Sequence, residues 1–136
     1  MKKKTTYDLR TERMDYIFDT HAHYDDEAFD ADREEVLTGL KKQGIGTVVN
    51  VGASIASTKT TLALAEAHPF MYAAVGVHPN ETAELTDADM KWLESLAENP
   101  KVVAIGEIGL GTSRNGRSRN TGFRRSLRSQ RRRDSR

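Results

Sequence analysis

The chain has 136 residues, enough for one domain with a buried core, and a net charge of +1 at neutral pH. It holds no cysteine, which excludes a disulfide framework and a thiolate metal site and fits a reducing, cytoplasmic setting. No stretch approaches the roughly 18 consecutive apolar residues that read as a membrane span, so no membrane segment is expected.

Residues 1–13 open on Met1-Lys2-Lys3-Lys4 and stay polar, with no apolar run of signal-peptide type, so they read as a disordered extension with Met14 as a candidate start. Tyr16 to Asp19 reads as a buried strand. Asp26 to Lys42 reads as one helix, with Phe29, Val36, Leu37 and Leu40 on a single stripe, ended by Gly44. Thr47 to Val51 is β-branched and predicts a second strand. Ser54 or Ser57 is placed to cap a helix that runs to Ala67 and is stopped by Pro69. Phe70 to Val77 predicts a third strand. Thr86-x-x-Asp89 has capping-box spacing and opens a helix with Met90, Leu93, Leu96 and Ala97 on one face. Lys101 to Glu107 predicts the fourth strand.

The order is β-α-β-α-β-α-β without hairpin signals, which implies parallel strands joined by helices and a sheet covered on both faces. After Leu110 the character changes. Residues 1–110 carry 11 Lys and Arg against 19 Asp and Glu, whereas residues 111–136 carry ten Arg, no Lys and Asp134 as the one acid. Phe123 and Leu127 are the large apolar residues of that segment, too few to offset its ordering entropy. It is therefore expected to be a disordered, Arg-rich tail.

The chemistry-bearing residues fall where strands end. Ile17-Phe18-Asp19-Thr20-His21-Ala22-His23-Tyr24-Asp25 finishes the first strand with His-x-His, and alternation sends His21 and His23 to the same side. The second strand contains Asn50, the third reaches His78 and the fourth reaches Glu107. On the fourth strand Val103, Ile105 and Glu107 are expected to share a face, with the acid above the apolar pair. Polar groups at the carboxyl ends of parallel strands occupy one rim, the active-site rim of a (β/α)₈ barrel. Two imidazoles and a carboxylate suit Zn²⁺, Mn²⁺ or a related divalent ion, and a carboxylate can bridge two such ions. Asp19 is a candidate to orient an imidazole or to bond the backbone instead. Asp25 and Asp26 read as helix caps, and His68 as a helix-end residue.

The stretch from Ile17 to Asp25, together with Val75-Gly76-Val77-His78-Pro79 and Ala104-Ile105-Gly106-Glu107-Ile108-Gly109-Leu110, resembles the TatD family of metal-dependent hydrolases over about Met14 to Leu110. The resemblance implies an α/β fold, here the N-terminal half of a (β/α)₈ TIM barrel with about four parallel strands and three helices. It further implies a deoxyribonuclease that uses divalent metal (Mg²⁺, Mn²⁺ or Zn²⁺), two ions in the intact enzyme, and trims DNA from a 3′ end. Carried onto this sequence, His21, His23 and Glu107 are metal ligands, Glu107 is also catalytic and bridging, and His78 is a substrate-side residue of less defined role. The family continues from Leu110 into Asp-Tyr and a second half with further ligands. Here Gly111-Thr112 follow, so residues 111–136 are expected to be read out of frame and the chain to be truncated and inactive. Exposed strand edges of such a half barrel would favour self-association.

Two other readings stand beside this one. A nucleic-acid-binding protein could use the arginine-rich tail for salt-dependent contacts to phosphates. A different amidohydrolase-type enzyme would share the ligands but act on amides or esters. A small doubly wound binding module lacks its phosphate-cradling glycine loop, because Thr20-His21-Ala22-His23 occupies that turn.

Overall fold

The computed structural model describes residues 16–109; the expectations for residues 1–13 and 111–136 lie outside the described residues. Four strands, β1 (Ile17–Ala22), β2 (Ile45–Val51), β3 (Met71–Val75) and β4 (Val102–Ile105), form one sheet in the order β1-β2-β3-β4. Every neighbouring pair is parallel. Three α-helices make the crossovers: α1 (Arg33–Gly39), α2 (Ile55–Ala67) and α3 (Asp87–Leu96). Because strand order follows chain order, each right-handed crossover steps the same way and lays its helix on the same side.

The core divides accordingly. Leu37, Leu40, Leu64, Ala65, Met90 and Leu93 from the helical side pack with Val48, Met71, Ala73, Val75 and Val102 from the strands. The opposite face has a smaller cluster of strand residues alone, Val49, Val51 and Ala74 with Tyr72 and Ala104. Coverage of both faces was the expectation, yet Ile17, Phe18 and Val103 are exposed among the described residues. The sheet is a sector of a singly wound barrel with helices outside it, as the half-barrel reading requires.

The stretch predicted as one helix, Asp26 to Lys42, is broken into three. A 3₁₀ turn at Glu27–Phe29 is capped by Asp26, whose carboxylate accepts from Ala28 N at 2.8 Å. Arg33 then donates to the Tyr24 and Asp26 carbonyls at 2.7 and 2.9 Å and pairs with Asp30. Short acidic side chains and a guanidinium that takes up backbone carbonyls both compete with a continuous helix here. α1 follows, and a second 3₁₀ turn, Leu40–Gln43, ends at Gly44 with φ 85°, the left-handed cap that glycine suits. The apolar stripe survives the break, since Leu37 and Leu40 are both buried.

Both serines proposed as caps of α2 are used. Ser54 accepts from Ser57 N at 3.0 Å, and Ser57 Oγ accepts from Ala53 N at 2.8 Å. The Thr86–Asp89 capping box closes in both directions: Thr86 Oγ1 accepts from Asp89 N at 3.1 Å, and Thr86 N donates to Asp89 Oδ2 at 2.9 Å. The bonds from Thr86 hold the Asp89 carboxyl below its ordinary pKa. A carboxylate with a lowered folded-state pKa favours the fold above its unfolded value, so this support disappears only as pH falls through the lowered one. Thr86→Ala is expected to cost about 1 kcal/mol of stability at neutral pH, read as a lower urea midpoint with an unchanged slope. Among the described residues, no helix is long and apolar enough to cross a membrane.

Candidate metal centre

β1 runs three residues further than predicted because its pairing with β2 continues to Ala22 opposite Asn50. Between Asp19 and Ala22 the register shifts by one residue, three steps on β1 matching two on β2. Ala22 is buried in the helix-side core, so His21 and His23 on either side of it project from the other face. Their Nε2 atoms meet 3.1 Å apart.

Glu107 arrives from the opposite edge of the sheet, two residues beyond β4. Its Oε1 lies 3.4 Å from His21 Nε2 and 3.3 Å from His23 Nε2. The route to that position differs from the one expected. Val103, Ile105 and Glu107 do not share one face, because the β3–β4 register shifts: Ala73 faces Val102, but Ala74 faces Ala104. The extra residue turns Val102 and Ile105 both toward the helix-side core and Ala104 toward the smaller cluster. The Gly106–Glu107 peptide is cis.

Three donor atoms with mutual separations of 3.1, 3.4 and 3.3 Å can all touch one small cation. Ligands bonded at about 2.0–2.2 Å, with angles between octahedral and tetrahedral, stand about 2.8–3.6 Å apart, and this triangle falls within that range. The same three residues form the group able to hold a metal ion among the described residues. The side chains of His21 and His23 are half-exposed and that of Glu107 is more enclosed, so the rim is open to solvent and solutes.

His23 is set for ligation by its other nitrogen. His23 Nδ1 donates to the Val51 carbonyl at 2.8 Å, which leaves Nε2 without a proton in the neutral ring and directs its lone pair at the triangle. Asp19 does not orient either ring; its carboxylate accepts from the backbone N of His21 at 3.1 Å. It also raises the pKa of Tyr24, second to the effect of burial. His78 lies at the edge of the group. Its Nδ1 accepts from Asn80 N at 3.1 Å, and its Nε2 is 3.8 Å from Glu107 Oε2, beyond hydrogen-bond reach. Glu107 thus turns one oxygen to the two imidazoles at the end of β1 and the other toward His78. His68 belongs elsewhere, at the end of α2, 3.4 Å from Glu34.

One contributor, the Val51 carbonyl, escapes the sequence reading, and a second, Asn50, is placed there at a strand end without a task. The Val51 carbonyl is a backbone group and leaves no trace in residue type. Asn50 does leave one, since an amide inside a β-branched strand must find partners. It is fully buried and bonds Tyr24, Asp25 and Thr61. Asp25, read as a cap, is one of those partners.

Comparison with known proteins bears on the family and the fold of the chain. The profile of the family described as TatD related DNase matches residues 18–133. The uncharacterized metal-dependent hydrolase YabD of Bacillus subtilis is 39% identical over 94 residues, 69% of this chain and 37% of its own length. The 3′-5′ ssDNA/RNA exonuclease TatD of Musicola paradisiaca is 34% identical over 100 residues, 73% of this chain and 38% of its own. Among solved structures, the crystal structure of YjjV, a TatD homolog from Escherichia coli, superposes with a TM-score of 0.79 at 29% identity, covering 90% of this chain and 49% of that one. The chain therefore spans less than two-fifths of those two sequence relatives and about half of the solved homolog.

Proposed function

The chain belongs to the TatD related DNase family, and from that premise we propose that His21, His23 and Glu107 form the N-terminal portion of a divalent-metal site serving hydrolysis of DNA phosphodiester bonds from a 3′ end. The observation that carries the reading is the donor triangle, with edges of 3.1–3.4 Å, at the carboxyl rim of a parallel sheet. Imidazole and carboxylate donors without thiolate suit Zn²⁺ or Mn²⁺, and Mg²⁺ less closely. A bound ion supplies Lewis-acid stabilisation of charge on phosphate oxygens.

The protein groups have separate tasks. His23, fixed through Nδ1 by Val51, presents an oriented neutral nitrogen. Glu107 adds the negative charge that two neutral imidazoles lack, and its two oxygens face different neighbours, as bridging between two ions requires. His78, with Nδ1 engaged as an acceptor, keeps a proton on Nε2 and is assigned to hold a phosphate oxygen of the substrate. Among the described residues His21, His23 and Glu107 gather with His78 beside them, and to the 136-residue chain we assign metal and DNA binding without appreciable turnover.

Incubation with 3′-labelled single-stranded DNA and Mn²⁺ tests this. The expected result is Mn²⁺-dependent, EDTA-reversible binding that weakens at least about tenfold in His23→Ala, with no shortening of the strand over hours. Shortening that disappears in His21→Ala would instead show a competent enzyme. Binding indifferent to EDTA and to both substitutions would remove the metal reading and leave electrostatic contacts of the arginine-rich segment as the explanation.

A further inference from the structure

We propose that Asn50 and Asp25 form a clamp that sets the orientation of His23, making Asn50 a positioning residue of the site; this rests on the metal reading above. Contacts hold the chain at His23 and at the two residues after it. Its ring is held by the carbonyl of Val51, the residue after Asn50. The backbone amide of the following residue, Tyr24, donates to Asn50 Oδ1 at 2.6 Å. The next side chain, Asp25, accepts from Asn50 Nδ2 at 2.8 Å. The second hydrogen of that amide goes to Thr61 Oγ1, also at 2.8 Å, on α2. Adjacent positions of β2 thus grip the ring of His23 and the two residues after it, and anchor them to a helix.

Asn50 is wholly buried and both its amide hydrogens are used. Packing alone would be served better by an apolar side chain in this strand. The amide is needed because the turn after β1 brings in a backbone N–H and a carboxylate that must meet an acceptor and a donor in one place. Asparagine supplies both from one planar group, and aspartate and leucine do not. Outer partners of this kind typically contribute 10- to 100-fold to metal affinity by fixing ligand orientation.

A charge-pattern swap separates positioning from mere packing. Asn50→Asp sets two carboxylates where the 2.8 Å bond now lies. In the double variant Asn50→Asp with Asp25→Asn, an acceptor still meets Tyr24 N, an amide at position 25 donates back to position 50, and the Thr61 hydroxyl turns to donate. Two readouts are taken on the full chain: Mn²⁺ affinity by chelator competition, and the His23 tautomer by ¹⁵N NMR of the metal-free imidazole. For Asn50→Asp the expectation is 10- to 100-fold weaker Mn²⁺ binding and loss of the Nδ1–H form of His23. The double variant is expected to recover affinity to within about threefold and to regain that tautomer. Unchanged affinity and tautomer in Asn50→Asp, or no recovery in the double variant, would overturn the proposal. Loss and recovery of the tautomer across the two variants, with no Mn²⁺ bound by the wild-type chain, would overturn the metal reading while supporting the clamp. A single variant that fails to fold leaves the decision with the double variant, whose recovery or lack of it is read in the same way.

Discussion

Glu107→Gln is expected to weaken Mn²⁺ binding by more than about a hundredfold while leaving the fold nearly unchanged. The substitution keeps the length and shape of the side chain and removes the negative charge from the triangle. Glu107 Oε1 is 3.4 and 3.3 Å from the two imidazole nitrogens and is the one anionic donor of the three. Losing a partner of a ligand typically costs 10- to 100-fold in affinity, and loss of an anionic ligand itself should exceed that. The side chain stands on an open rim, so stability should move by less than about 0.5 kcal/mol. Chelator competition for the affinity and a thermal melt for the fold check both parts. Near wild-type Mn²⁺ affinity in this variant would mean that the carboxylate is not a ligand.

Gly76→Ala is expected to act on the same site from below. A Cβ at position 76 would overlap the Gly106 carbonyl and approach Glu107 N to 3.0 Å. These are backbone atoms, tied to β3 by the Gly106 N to Val75 O bond of 3.0 Å, so they cannot yield as a flexible side-chain tip would. The strand end must shift, at a cost of about 1–3 kcal/mol, and Glu107 shifts with it. Functional groups must be held within about 0.5 Å of their working positions; a drop of about a hundredfold or more in Mn²⁺ affinity is therefore expected alongside the lower melting point. Gly109→Ala is the control, two residues beyond Glu107, because among the described residues its Cβ would meet Pro79 at 3.4 Å, an ordinary contact. Equal behaviour of the two variants would show that the close approach at Gly76 is not what places Glu107.

Much of this arrangement is written in residue types. The alternation of β-branched strands with capped helices is legible, and so is the recurrence of His21, Asn50, His78 and Glu107 at successive strand ends, because parallel strands bring those ends to one rim. Thr86 and Asp89 announce their capping box by spacing, and Gly44 announces the end of its turn. Three features stay hidden for physical reasons. The register shifts in β1 and β4 depend on pairing between strands, so alternation along β4 alone misplaces Ile105. The break between Asp26 and Lys42 comes from Arg33 taking carbonyls in a preceding turn, a contact that periodicity does not carry. The orientation of His23 comes from a carbonyl on a neighbouring strand, where any residue would present the same group.

Anomalous diffraction from crystals of the full chain grown with Mn²⁺ tests the central claim most directly. The predicted result is one anomalous peak within about 2.0–2.3 Å of His21 Nε2, His23 Nε2 and a Glu107 carboxylate oxygen. A peak bound elsewhere, or none at these three atoms at saturating Mn²⁺, would contradict it.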